Sequence, residues 1–258
     1  MSVSDLRAPI TSEGGAVTLP ADKWLQGRTL FGGASALVAY TAAVRAFPDL
    51  PPLRAAQIGF VAPVGKDVET RAAMVRQGRN VAQVRSELLV EGKVALTAFW
   101  LFGTGREANA VHAAAKADPW PGAPEENDSA MTDKGPPFIV NNFDIRRAQE
   151  TQGPGEPIVR RWFRLTDRGE LDRVSELILV GDTLPPGAMR AMQRQGPISS
   201  INWSFNILDA ELGTRDGWWL GETASQHAGA GYSSERLRLW NADGVQVMDG
   251  LQSVAVFG

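Results

Sequence analysis

The chain of 258 residues carries 26 Lys and Arg against 29 Asp and Glu, for a net charge of -3, with 43% hydrophobic residues and no cysteine. These values describe a globular chain able to bury a sizeable core, as one large domain or two modest ones, and they exclude disulfides, thiolate nucleophiles and Cys-ligated metals. No dense run of Lys or Arg tracks a phosphate backbone, so nucleic acid is not an expected partner; the two histidines, His112 and His227, lack metal spacing and supply no Ser-His-Asp triad.

The opening residues Met1-Ser2-Val3-Ser4-Asp5 show no basic region followed by an apolar run. No later stretch reaches the roughly 20 apolar residues of a membrane span, and the expected location is the cytoplasm, away from membranes. Phe31-Gly32-Gly33 opens a predicted helix over Ala34 to about Ala46, whose alanines and Leu37, Val38, Thr41 and Val44 allow close packing before the stop at Pro51-Pro52. A strand is predicted over Gln57–Val61, and a second carries Val68, Thr70, Ala72 and Met74 up to Gln77-Gly78. From Asn80 to Val90, Ala82, Val84, Leu88 and Val90 share one face and Gln83, Arg85, Glu87 and Glu91 the other, the pattern of a half-buried strand. The Glu91-Gly92 turn leads into Val94–Phe102, apolar on nearly both faces and therefore expected at the centre of a sheet.

The stretch from Gly105 to Pro137 lacks periodicity and reads as a linker or extended crossing segment. Beyond it the same plan repeats. A helix over about Leu171–Val180 carries Val174, Leu177 and Ile178 and stops before Pro185-Pro186. In the strand Ser200–Ile207, Ser200, Asn202, Ser204 and Asn206 alternate with Ile201, Trp203, Phe205 and Ile207. Trp218-Trp219-Leu220 begins another strand, and Glu235–Trp240 pairs through Asn241–Gly244 with Val245–Phe257. Gly229-Ala230-Gly231 leads into a strand and lacks the third glycine and the helix of a nucleotide-binding loop.

A helix followed by an antiparallel meander, twice over, predicts an α+β architecture, the double hotdog: two fused units, each a sheet wrapped around a long helix, joined edge to edge. The predicted division is residues 1–104, a linker over 105–137, and residues 138–258.

The sequence resembles the thioesterase II (TesB-like) acyl-CoA thioesterases over nearly its whole length. The resemblance rests on Leu30-Phe31-Gly32-Gly33, Arg76–Val81 and Glu91-Gly92-Lys93 in the first half. In the second half it rests on Gly181-Asp182, Gly217–Leu220, Asp243-Gly244 and Leu251-Gln252. It implies hydrolysis of acyl-CoA to a free acid and CoA in lipid metabolism, without cofactor or metal, by a chain that associates with itself as a dimer or larger homo-oligomer. It further implies an active site built from an Asp at the end of the second helix, a Thr or Ser on the following strand and a Gln on the last strand. Asp182 and Gln252 match by position; Ser200 fills the hydroxyl position, with Asn202 as its rival. Asp182 falls four residues after Ile178 and eight after Val174, on the face that the helix buries, where desolvation raises a carboxyl pKa toward the range of a general base. Gln252 shares a strand face with Met248, Val254 and Val256 and so needs a polar partner such as Asp182. Gly32-Gly33, at a helix N-terminus, offers backbone N–H groups for an oxyanion, and Gly32, Gly33 and Asn202 are the expected substrate-binding positions. Two other readings compatible with a hotdog are a non-catalytic acyl-CoA-binding module and an acyl-thioester hydratase, the second disfavoured by the scarcity of histidine.

Overall fold

Helix α1 (Val3–Arg7), strand β1 (Gly15–Thr18) and the short ribbon of β2 (Leu25–Gln26) and β3 (Thr29–Leu30) precede the first long element, helix α2 (Gly32–Ala46). These come from a computed structural model that describes residues 3–131, 135–149, 155–209 and 213–257. Every residue of α2 from Gly33 to Ala43 is buried. A helix covered all round needs small side chains where neighbours press closely, which accounts for its run of alanines. Four strands follow through short connections: β4 (Leu53–Phe60), β5 (Asp67–Gln77), β6 (Val81–Val90) and β7 (Lys93–Gly103).

The second half begins with helix α3 (Pro137–Asn142) and strands β8 (Phe143–Arg147) and β9 (Ile158–Leu165), then helix α4 (Arg173–Val180). Strands β10 (Ile198–Ile207), β11 (Trp219–Gly229), β12 (Tyr232–Asn241) and β13 (Gln246–Val256) complete it, the last three as a meander with β10 beside β13. Helix α4 has 8 residues and starts later than the predicted Leu171, because the Asp172 carboxylate caps it by accepting from Ser175 N at 2.8 Å and Ser175 Oγ at 2.7 Å. Eleven strands form one sheet in the order β1-β5-β6-β7-β4-β10-β13-β12-β11-β9-β8. The halves meet edge to edge at β4 and β10, which are antiparallel, with Gly59 opposite Asn202 and Ala55 opposite Asn206. Helix α2 packs on β5, β6 and β7 and against α4, so the main core lies between the helices and the concave face of the sheet.

Besides the separate β2–β3 ribbon, three strands of this sheet lie outside the predicted set: β1, β8 and β9. Each extends the sheet ahead of a helix, β1 beside β5 and β9 beside β11. In β9 the apolar run is interrupted by Arg160-Arg161, which hides the strand in the sequence. Arg160 is nevertheless buried, its Nε donating to Glu222 Oε2 at 2.8 Å, while Arg238 Nε donates to Glu222 Oε1 at 3.0 Å. The crossing segment closes over these charges on the convex side of the second half. Arg160 donates to the carbonyls of Pro119 and Asp118, at 2.7 and 3.1 Å, and Trp240 Nε1 to the carbonyl of Ala115 at 3.0 Å. Trp120 meets Trp162 edge to face, and a small second core of Trp162, Trp218, Leu220 and Trp240 forms there.

Glu222 is 1% exposed and is the shared acceptor of two guanidinium groups. Glu222→Ala leaves Arg160 buried beside no carboxylate, and the expected loss of unfolding free energy in urea titration is about 3–5 kcal/mol.

Candidate active site

Helix α4 ends at Val180; Gly181 keeps αR geometry as its C-cap, and Thr183 N donates to Val180 O at 3.2 Å. Asp182 therefore emerges from a tight turn directly below the helix end. Gly181 is required there, since a Cβ would come within 2.9 Å of Leu177 O, Met248 Sδ and the Trp203 ring alike. As a residue Asp182 keeps some exposure, but its carboxyl group turns inward between two elements. Gln252 Nε2 donates to Oδ1 at 2.9 Å, and Oδ2 lies over Gly32, so close that a Cβ on that glycine would sit 2.0 Å from it. Gly33 is equally constrained: its Cβ would fall 2.1 Å from the carbonyl oxygen of Leu179. The first half thus meets the second through two glycines at the start of α2, Gly32 against the carboxylate and Gly33 against the helix backbone.

Burial pushes the Asp182 carboxyl up from 3.8 to about 7, and the hydrogen bond from Gln252, which favours the ionised form, offsets only part of this. A carboxylate of that basicity exchanges a proton readily near neutral pH. At the start of α2 the N-cap Phe31 has no polar side chain, and the first amide bonded back along the helix is Ser35 N, to Phe31 O at 3.1 Å. The amides of Gly32, Gly33 and Ala34 precede it and have no acceptor within the helix. Phe60 approaches the same spot, its ring 3.0 Å from the position of a Gly32 Cβ.

A bulge in β10 puts the two candidates for the hydroxyl position on opposite faces. Ser200 pairs with Val254, Asn202 with Ser253 and Trp203 with Gln252, so that Ile201 is an extra residue without a partner on β13. Directly opposed residues in an antiparallel pair share a face. Trp203, Gln252 and Val254 are buried on the concave side, and Ser200, half-buried, joins that side through the bulge. The strict alternation predicted for β10 puts Ser200 and Asn202 on one face; the bulge separates them. Asn202 is exposed on the convex side, where its Oδ1 accepts from Ser253 N at 3.0 Å. Of the six positions singled out in the sequence, Asp182 meets both Gln252 and Gly32, Gly33 follows Gly32 against the Leu179 carbonyl, Ser200 shares the sheet face of Gln252, and Asn202 faces away.

Glu235 belongs to this neighbourhood although it is absent from the predicted set. It lies opposite Gln252 on β12 and is fully buried. Its signal was a carboxylate in the apolar phase of a strand, with Leu237 and Leu239 following on the same face. Both histidines are exposed, and among the described residues no cluster of His, Cys, Asp and Glu is suited to a metal.

Residues 20–103 match the family described as acyl-CoA thioesterase N-terminal domain, and residues 114–256 match the corresponding C-terminal domain. Among solved structures, a conserved hot dog fold protein from Alicyclobacillus acidocaldarius is 20% identical with a TM-score of 0.85, covering 99% of this chain and 98% of its own. The tesB protein of Mycobacterium avium subs paratuberculosis is 17% identical with a TM-score of 0.78, over 100% of both chains. An acyl-CoA thioesterase II from Mycobacterium marinum is 16% identical with a TM-score of 0.70, over 88% of each chain. At such identities the likeness is one of fold, and the fold is the double hotdog. No curated protein matches the chain in sequence.

The buried carboxyl has a consequence for stability that can be signed. Its proton is held more tightly in the folded chain than in the unfolded one, so this contribution is fully present below about pH 4 and is lost as pH rises through about 7. Asp182→Asn cannot ionise and escapes that loss. In thermal unfolding its Tm advantage over the parent is expected to grow as pH is raised from about 5 to about 8.

Proposed function

Because the chain belongs to the acyl-CoA thioesterase family, whose members are thioester hydrolases, we propose that it cleaves an acyl-CoA to a free acid and CoA with a water activated by Asp182. The observation that carries this reading is the inward-turned carboxylate, raised to about 7, held by Gln252 and set against the start of α2. Gln252 fixes Oδ1 and leaves Oδ2 to accept a hydrogen bond from water. Attack of that water on the thioester carbonyl transfers its proton to Asp182 and puts negative charge on the carbonyl oxygen. The unpaired amides of Gly32 to Ala34, at the positive end of α2, are suited to hold that oxyanion. Collapse then breaks the C–S bond, and the proton on Asp182 passes to the departing CoA sulfur. Ser200, on the same sheet face as Gln252, is assigned as a further hydrogen-bonding partner of the water; Asn202 has no part. A hydratase finds no histidine beside this carboxylate, and a purely binding module gives no reason to keep a basic carboxylate out of water.

Release of free CoA from a panel of short, long and aromatic acyl-CoAs tests the activity, and no release from any of them overturns it. Asp182→Asn is expected to lower kcat about a hundred- to ten-thousandfold with the fold intact. For the parent, kcat/KM is expected to rise with pH about a midpoint near 7. Gly32→Ala pushes on the flexible end of Asp182 rather than on backbone, so it should lower kcat with little change in Tm. Full activity of the Asp182→Asn protein removes the assigned base while leaving the family untouched.

A further inference from the structure

Five residues after Asp182 the chain reaches Gly187, having passed Pro185-Pro186, and this stretch is tied to the sheet at two points. Thr223 Oγ1, on β11, donates to the carbonyl of Pro185 at 2.6 Å. Glu235, on β12, accepts from Gly187 N at 2.8 Å through Oε2, and from Ala188 N at 3.2 Å and Ser233 Oγ at 2.5 Å through Oε1. Ser225 Oγ lies 2.8 Å from Ser233 Oγ and extends the polar chain. Glu235 is 0% exposed and no basic side chain pairs with it among the described contacts. Gly187 has no room to move toward β9, since a Cβ there would meet Pro157 O at 2.1 Å.

A buried carboxylate satisfied by two backbone amides is a costly way to fasten a loop if fastening is all that is required. Its place in the sheet supplies the reason. Glu235 stands opposite Gln252 on one side and Ser225 on the other, and Gln252 stands opposite Trp203, so one row across the concave face runs Ser225, Glu235, Gln252, Trp203. Opposed side chains in such a row have Cβ atoms about 4.5–5.5 Å apart. Glu235 is therefore linked to both members of the Asp182–Gln252 pair: it stands opposite Gln252 across the strands, and it anchors the five-residue segment that follows Asp182.

We propose that Glu235 is a positioning residue for the hydrolytic reaction, clamping the segment after Asp182 so that its carboxylate stays seated between Gln252 and Gly32. This rests on Asp182 being the base. Thr223 is the second clamp on the same segment. Loosening either lets Asp182 swing toward solvent, with two effects: the carboxylate loses its geometry, and it regains water.

The test is steady-state hydrolysis of the best acyl-CoA of the panel by the full-length parent, Glu235→Gln, Thr223→Val, Asp182→Asn and the double variant Glu235→Gln/Asp182→Asn, with pH profiles and Tm. Glu235→Gln keeps one oxygen but presents an NH2 where a second acceptor is needed. Its kcat is expected to fall about ten- to a hundredfold, the scale of a small displacement of a reacting group, with KM within about twofold. The midpoint of its pH profile should move below that of the parent, toward the ordinary carboxylate range, a change that a purely structural role does not produce. Thr223→Val should move the midpoint the same way by a smaller step. In the double variant Glu235→Gln should add no further loss to Asp182→Asn. An unshifted midpoint with parental kcat in Glu235→Gln overturns the proposal, and so does additive loss in the double variant. If Glu235→Gln does not fold, an unshifted midpoint in Thr223→Val overturns it. Full activity of Asp182→Asn refutes the base assignment instead, and is read from that variant alone.

Discussion

The helices of the two halves meet glycine against backbone: Gly33 at the start of α2 against the carbonyl of Leu179 near the end of α4. A side chain in that place drives the helices apart, and with them the sheets that they fill. One residue earlier, Gly32 faces the Asp182 carboxylate. The contact that lets the halves close is thus also the contact that strips water from the candidate base and raises its pKa. Asp182 owes its burial in part to a glycine some 150 residues away, on the other copy of the motif. Neither half carries it alone.

The second half is built to hold what that contact creates. Helix α4 is short, and Asp182 lies beyond its end, where backbone hydrogen bonding within the helix no longer fixes it. Position must come from the sheet: from Gln252 directly, and from Glu235 and Thr223 through Gly187 and Pro185. On the opposite side of the same strands, Glu222 joins two arginines beneath the crossing segment and stiffens the sheet from behind. Strands β11 and β12 therefore carry buried carboxylates on both faces, one serving the loop below Asp182 and the other the linker.

Much of this was legible in the sequence. Period-two runs separated by Glu91-Gly92 and Asn241–Gly244 disclosed the meanders, and the resemblance pointed to Asp182 and Gln252, which the structure joins by a hydrogen bond. What escaped notice did so for identifiable reasons. Strand β9 was hidden by Arg160-Arg161, since a charge looks exposed until its partner is known, and that partner, Glu222, lies 62 residues on. Glu235 was passed over for the same reason: its acceptors' work is to bind backbone amides, which leave no mark in a sequence. The separation of Ser200 from Asn202 depends on one unpaired residue, and alternation by itself cannot reveal where a strand skips a beat.

That skipped residue divides β10 into two reading frames. From Trp203 onward the strand is locked to the core by Trp203, Phe205 and Ile207, and any slip exposes three large side chains. Upstream of Ile201 the frame is reversed, and Ile198 and Ser200 turn to the concave side, half-buried and without the packing that holds Trp203, Phe205 and Ile207. Residues along Ile198–Ser200 can therefore change while the core register stays untouched, and a chain without Ile201 would still set Ser200 opposite Val254 by plain alternation: the extra residue breaks the pattern of the sequence but not the face of the sheet.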